Sequence, residues 1–119
     1  MLKGSVAAWK GFGIVPNGAL SVVSATLPVV RFSITFKGCF DMEDVFDFIL
    51  KELSNVSCQY GQSLALFYAP YRGFRVVSMT DEKAIRKSCI DGWCWEFVIR
   101  GNHIREANHN DVMRYCYGA

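Results

Sequence analysis

From Val30 onward apolar and polar side chains alternate, with Phe32, Ile34 and Phe36 set against Arg31, Ser33, Thr35 and Lys37. A period of two is that of a strand with one buried face, so Arg31–Lys37 is predicted as a strand whose outer side is basic and hydroxylated. The period then changes. Met42, Val45, Phe46, Ile49, Leu50 and Leu53 fall on one helical stripe, while Glu43, Asp44 and Asp47 stand toward solvent near the positive end of the helix dipole. Asp41–Leu53 is therefore predicted as a helix capped by Asp41. Ser63–Ala69 and Phe74–Met79 read as two strands joined through Pro70, Tyr71, Arg72 and Gly73, a proline-to-glycine turn suited to a hairpin. Asp81–Ile90 is a second, shorter helix with Ala84, Ile85, Ser88 and Cys89 inward and Gly92 as its stop. Trp93–Arg100 is a strand with Trp93, Trp95, Phe97 and Ile99 on one side. A polar strand or loop and a terminal helix follow, the helix started by Asn108 with Asp111 three positions on.

The order β-α-β-β-α-β with a terminal helix predicts an α+β fold, a ferredoxin-like split βαβ antiparallel sheet with both main helices on one face and the other face open. Residues 30–119 form that single domain. Residues 1–29 hold several glycines and prolines and no sustained period, so they are expected as an N-terminal arm, or as a loose hairpin turning at Pro16, Asn17 and Gly18.

A length of 119 residues, 51% hydrophobic and 14% aromatic, suits one domain with a real core and excludes a disordered chain. The net charge of +2 argues for no partner by itself, but its distribution does more. Residues 1–40 carry no acid, residues 41–53 carry Asp41, Glu43, Asp44, Asp47 and Glu52 against Lys51 alone, and the remainder is mildly basic. An anionic partner would avoid the first helix. The five cysteines lack metal-ligand or CxxC spacing, which predicts free thiols acting as small hydrophobes. No apolar run is long enough to cross a bilayer, and no leader is seen, so an intracellular, soluble protein without a membrane partner is expected.

Two groups of residues carry candidate chemistry. Arg31, Lys37, Arg72, Arg75 and Arg100 lie on or beside strands, with Tyr68, Tyr71, Phe74, Trp93 and Trp95 close to them. Cations for phosphates interleaved with flat faces for bases make a single-stranded nucleic-acid platform. The bland reading is a tryptophan core with a solvated rim. The second group is Tyr115, borne on the terminal helix behind His103 and Glu106. A helix-borne phenolate can attack a phosphodiester when a metal or base activates it. Its bland reading is a packing residue. His103 and His109 would need a third ligand to hold a metal, and no P-loop, GxGxxG or Ser/His/Asp grouping is present.

With these residues in view, the chain resembles the replication initiator (Rep) HUH-type endonuclease domain of circular single-stranded DNA viruses. Phe32, Ser33, Ile34 and Thr35 resemble its first strand motif. Its metal strand, followed by glycine and an aromatic, would fall on Pro70–Phe74, and its tyrosine helix on Tyr115–Gly118. The stretch from His103 to Ala107 followed by Asn108–Cys116 is the most similar. The resemblance implies a viral or mobile-element protein in the cytoplasm or nucleus of a host, binding single-stranded DNA. It also implies Tyr115 as the nicking nucleophile with Mg²⁺ or Mn²⁺. The pattern departs at Pro70 and Arg72, which stand where metal ligands belong, and at Gly118, which stands where the helix lysine belongs. Proline and arginine side chains do not ligate a hard cation, so no metal site is assigned and nicking is expected to be lost. The alternatives are a small viral module that docks on a host protein, and an RNA-binding domain of the same topology.

Overall fold

The computed structural model describes residues 14–15, 18–24, 31–36, 40–70 and 72–117, with side chains from Glu43 onward. In chain order the elements are β1 (Ile14–Val15), β2 (Gly18–Ser24), β3 (Arg31–Phe36), β4 (Phe40–Asp41) and α1 (Met42–Tyr60). They continue as β5 (Ser63–Ala69), β6 (Gly73–Ser78), α2 (Glu82–Ile90), β7 (Cys94–Arg100), β8 (His103–Glu106) and α3 (His109–Cys116). The class is α+β. A six-stranded sheet has the order β3-β2-β6-β5-β7-β8, of which β6-β5-β7-β8 is antiparallel throughout, and β1 pairs with β4 apart from it.

The helices do not share a face, contrary to the arrangement expected from the sequence. Val45, Phe46, Ile49, Leu50 and Leu53 of α1 pack on Leu64, Leu66, Tyr68, Phe74, Val76, Phe97 and Ile99. Ile85 of α2 and Cys116 of α3 pack on the alternate strand residues, Ala65, Phe67, Val77, Trp95 and Val98. The cause lies in where β7 lands. Pairing makes β3 parallel to β5, and β6 parallel to β7 but opposite in direction to β3 and β5. Both crossovers advance toward the β8 edge. Right-handed crossovers that advance the same way on oppositely directed strands must carry their helices on opposite faces.

Strand β5 is consequently buried on both sides, with only Ser63 partly exposed. Its run Leu64–Ala69 is continuously apolar, the pattern of a doubly covered strand. Phase is also broken in β7. The pairing shifts between Leu66 and Phe67, whose partners are Phe97 and Trp95, so Glu96 is an extra residue there. Trp95 thus joins Val98 on the α2 face while Phe97 and Ile99 point to α1, and the single tryptophan-rich side expected for this strand is not formed.

Helix α1 runs to Tyr60, seven residues beyond the expected end at Leu53. Ser54 Oγ donates to Gly101 O at 2.7 Å, and Gly101 N donates to Ser57 Oγ at 2.7 Å, so the β7–β8 turn stabilises a serine- and asparagine-containing stretch of weak intrinsic helicity. Gly61, at φ 63°, then stops it. The other boundaries follow their sequence signals: Asp81 Oδ1 caps α2 by accepting from Ala84 N at 3.1 Å, and Gly92 follows it at φ 90°. Asn108 and Asp111 form the reciprocal capping box of α3.

The expectation of free thiols fails at Cys89 and Cys116, which form a disulfide between α2 and α3; Cys58 and Cys94 are free. The two bonded cysteines come from helices that only the sheet brings together. At the N-terminus, β1 pairs with β4 and β2 pairs with β3 and β6, so the two strands flanking Pro16–Gly18 are not partners of each other.

Candidate nucleic-acid interface

The hairpin turn between β5 and β6 is closed by Arg72 N donating to Ala69 O at 3.1 Å, with Gly73 at φ 90°, a left-handed value that suits glycine. This geometry sends the Arg72 side chain across to the end of α2, where Nη1 donates to Asp91 O at 2.8 Å. Its guanidinium lies 4.4 Å from the centroid of the Trp93 ring, and that of Arg75 lies 5.9 Å from the same centroid. Trp93 is partly buried and fixed by its own N donating to Ser88 O at 3.0 Å. Two cations gathered on one indole repel each other, and an anion placed between them relieves that repulsion. A guanidinium over an indole face is itself worth ~0.5–1 kcal/mol near the surface, so the pair is held ready.

Strand registers extend the cluster across the sheet. Arg75 is opposite Val23 of β2, and Val23 is opposite Arg31 of β3. Arg31 and Arg75 therefore share one cross-strand row two strands apart, ~10 Å by ordinary strand spacing. Lys37 and Tyr71 lie outside the described residues. Arg100 does not join them. It ends β7 beside His103, some ~20 Å along the strand from Trp93.

Cations missed in the sequence reading complete this face. Lys83, Arg86 and Lys87 are exposed on α2 and Arg114 on α3, beside the exposed acids Glu82 and Asp91, whereas Asp44 and Asp47, with Lys51, are exposed on α1, beyond the opposite face of the sheet. The signal was present in α2, whose buried Ile85 and Ser88 dictate which positions face water, but its meaning depended on which face the helix covers.

Tyr115 is a packing residue in this geometry. Its ring meets Trp95 edge-on, with centroids 5.6 Å apart, and the Arg114 guanidinium sits 5.2 Å over it. The α3 helix beneath it is fastened by Asp111, which accepts from Arg105 Nη1 and Nη2 at 2.7 and 2.9 Å. The donor set does not fit the divalent cation that the resemblance implies. Arg72 is a cation engaged with Asp91 and Trp93, and no three His, Cys, Asp or Glu side chains converge among the described residues. Desolvation of its sulfur and then the Glu96 carboxyl beside it push the Cys94 thiol up to about 12.

Comparison with protein-family models, with curated proteins and with solved structures finds no match to this chain. No helix among the described residues is long and apolar enough to cross a membrane.

Proposed function

We propose that the chain is a Rep-like single-stranded DNA-binding domain of a virus or mobile element, working in the cytoplasm or nucleus of a host, with its nicking chemistry lost. Its scaffold is read as a ferredoxin-like variant in which β6-α2-β7, with β5 inserted between the parallel strands, is the split βαβ unit. The observation that carries the reading is the Arg72–Trp93–Arg75 cluster on the basic face. Phosphates are bound by the two guanidinium groups and by the α2 lysines and arginine. Bases stack on the guanidinium planes and the indole.

The deciding measurement is a salt titration of oligonucleotide binding by fluorescence anisotropy. Replacing Arg72 and Arg75 together with Ala is expected to weaken binding at least ~10-fold and to lower the slope of log affinity against log salt by ~1.4, two phosphate contacts' worth for a single strand. Unchanged affinity and slope would move the reading to a host-protein docking module. Tighter binding of RNA than of DNA of equal sequence would move it to an RNA-binding domain.

Nicking is a separate matter. With Mg²⁺ or Mn²⁺ and origin-like single-stranded DNA, little or no covalent adduct is expected, since Tyr115 is packed against Trp95 and the positions of Pro70 and Arg72 supply no metal ligand. A denaturation-resistant adduct that disappears in Tyr115→Phe would sink this part of the reading.

A further inference from the structure

The Cys89–Cys116 bond is made at the turn that builds the candidate interface. Cys89 lies in the last turn of α2, and the carbonyls of that turn fix the residues that follow. Asp91 N donates to Lys87 O at 2.9 Å, Gly92 N to Cys89 O at 3.2 Å and Trp93 N to Ser88 O at 3.0 Å. Asp91 O in turn accepts from Arg72, and the guanidinium groups of Arg72 and Arg75 gather on the Trp93 ring. The backbone around Cys89 therefore sets where that acceptor and that indole stand. Ile90, Asp91 and Gly92 are exposed, and a helix of nine residues is shorter than the ~12–15 that persist alone in water. The covalent link to Cys116 is the strongest hold on this turn. Helix α3 has anchors of its own, in the Arg105–Asp111 pair and the edge-on contact of Tyr115 with Trp95. Loss of the bond thus leaves α3 docked and loosens the end of α2.

We propose that this disulfide is a redox switch of the interface: oxidised, it holds Asp91 O and Trp93 in place for Arg72 and Arg75, and reduced, it lowers the affinity for a single strand. This regulation rests on the nucleic-acid reading given above. The bond is reachable from one end, because Cys116 is buried but Cys89 is partly exposed. The reductant is a dithiol. One of its thiolates attacks Cys89 Sγ, and Cys116 leaves as a thiolate and takes up a proton. The second thiolate of the reductant then displaces Cys89, which is protonated in turn, and closes the reductant's own disulfide. Two electrons and two protons pass to the protein, and a disulfide oxidant such as oxidised glutathione runs the exchange backward.

Fluorescence anisotropy with a labelled oligothymidylate tests this on the native chain, with and without dithiothreitol, while thiol titration counts the two sulfhydryls that reduction adds. The reduced chain is expected to bind at least ~5-fold more weakly, the low end of coupling between linked sites. Linkage is reciprocal, so saturating oligonucleotide should raise the equilibrium constant for forming the bond in a glutathione redox buffer by the same factor. Cys89→Ser with Cys116→Ser should bind like the reduced native chain and ignore dithiothreitol, which separates the switch from the free thiols Cys58 and Cys94. If that variant is unfolded, Cys89→Ala with Cys116→Ala must give the same result. Equal affinity of the oxidised and reduced chains overturns the switch alone, as does a native chain in which no bond forms, or a cysteine-free pair that still responds to dithiothreitol. A reduced chain that circular dichroism shows to be unfolded makes the bond purely structural and also overturns it. Absence of binding in both states removes the DNA-binding reading and this proposal together.

Discussion

Asp111 does three jobs with one carboxylate. It accepts two bonds from the Arg105 guanidinium and one from Asn108 N at 2.9 Å, while its own N donates to Asn108 Oδ1 at 3.0 Å. Hydrogen bonding from Arg105, helped by Asn108 N and the charges of Arg105 and Arg100, outweighs desolvation and holds this carboxyl below the usual range. A depressed pKa in the folded state means that the stabilisation is complete above the unfolded value near 3.8 and is lost as pH falls through the folded one. Asp111→Asn is therefore expected to cost about 1–2 kcal/mol at neutral pH, as a lost charge-assisted cap. In urea melts the gap between variant and native protein should close in acid. A gap that is the same at neutral pH and at pH ~3 would mean that the charge of Asp111 contributes nothing.

The elements were legible in proportion to how local their signals are. Strand β3, the β5–β6 hairpin, α2 with its Asp81 cap and α3 with its capping box follow side-chain period, turn residues and caps, all of which act within a few residues. The C-terminal third of α1 was not legible, because Ser54 and Ser57 are stabilised by Gly101, more than forty positions away. Double burial of β5 yields a test at this scale. Phe67 faces α2 and stacks on Trp95 at 5.5 Å, while Phe46 on the α1 side meets Phe74 at 5.1 Å. Both are fully buried. Phe67→Ala and Phe46→Ala are each expected to cost about 3–5 kcal/mol in chemical denaturation. A sheet with one open face would lose that amount for Phe46 and little for Phe67, so a cost under ~1 kcal/mol at Phe67 would refute the two-sided core.

For the molecule as a whole, charge follows the sheet. Acidic α1 lies on one side, and on the other Arg72, Arg75, Lys83, Arg86, Lys87 and Arg114 outnumber Asp81, Glu82 and Asp91, which turns a small net charge into a directional field. Replacing Arg86 and Lys87 with Ala should lower the salt slope of single-stranded nucleic-acid binding by ~1.4, two phosphate contacts' worth, whereas Asp47→Asn should leave the slope unaltered. Equal effects from the two changes would show that the field, and not its placement, matters.

The sequence by itself determined the class, the types of the main elements from Arg31 onward, the caps of α2 and α3, the β5–β6 turn, and which residues are cationic or aromatic, because periodicity, glycine and capping chemistry are properties of short stretches. Only the tertiary structure decided that the helices lie on opposite faces, that the Glu96 bulge turns Trp95 away from Phe97, that Cys89 meets Cys116, and that Arg72 and Arg75 converge on Trp93. Each of those depends on strand order. A chain's local pattern says that a strand has a buried face, but which neighbour β7 pairs with is settled by the handedness of crossovers and the packing of the entire sheet.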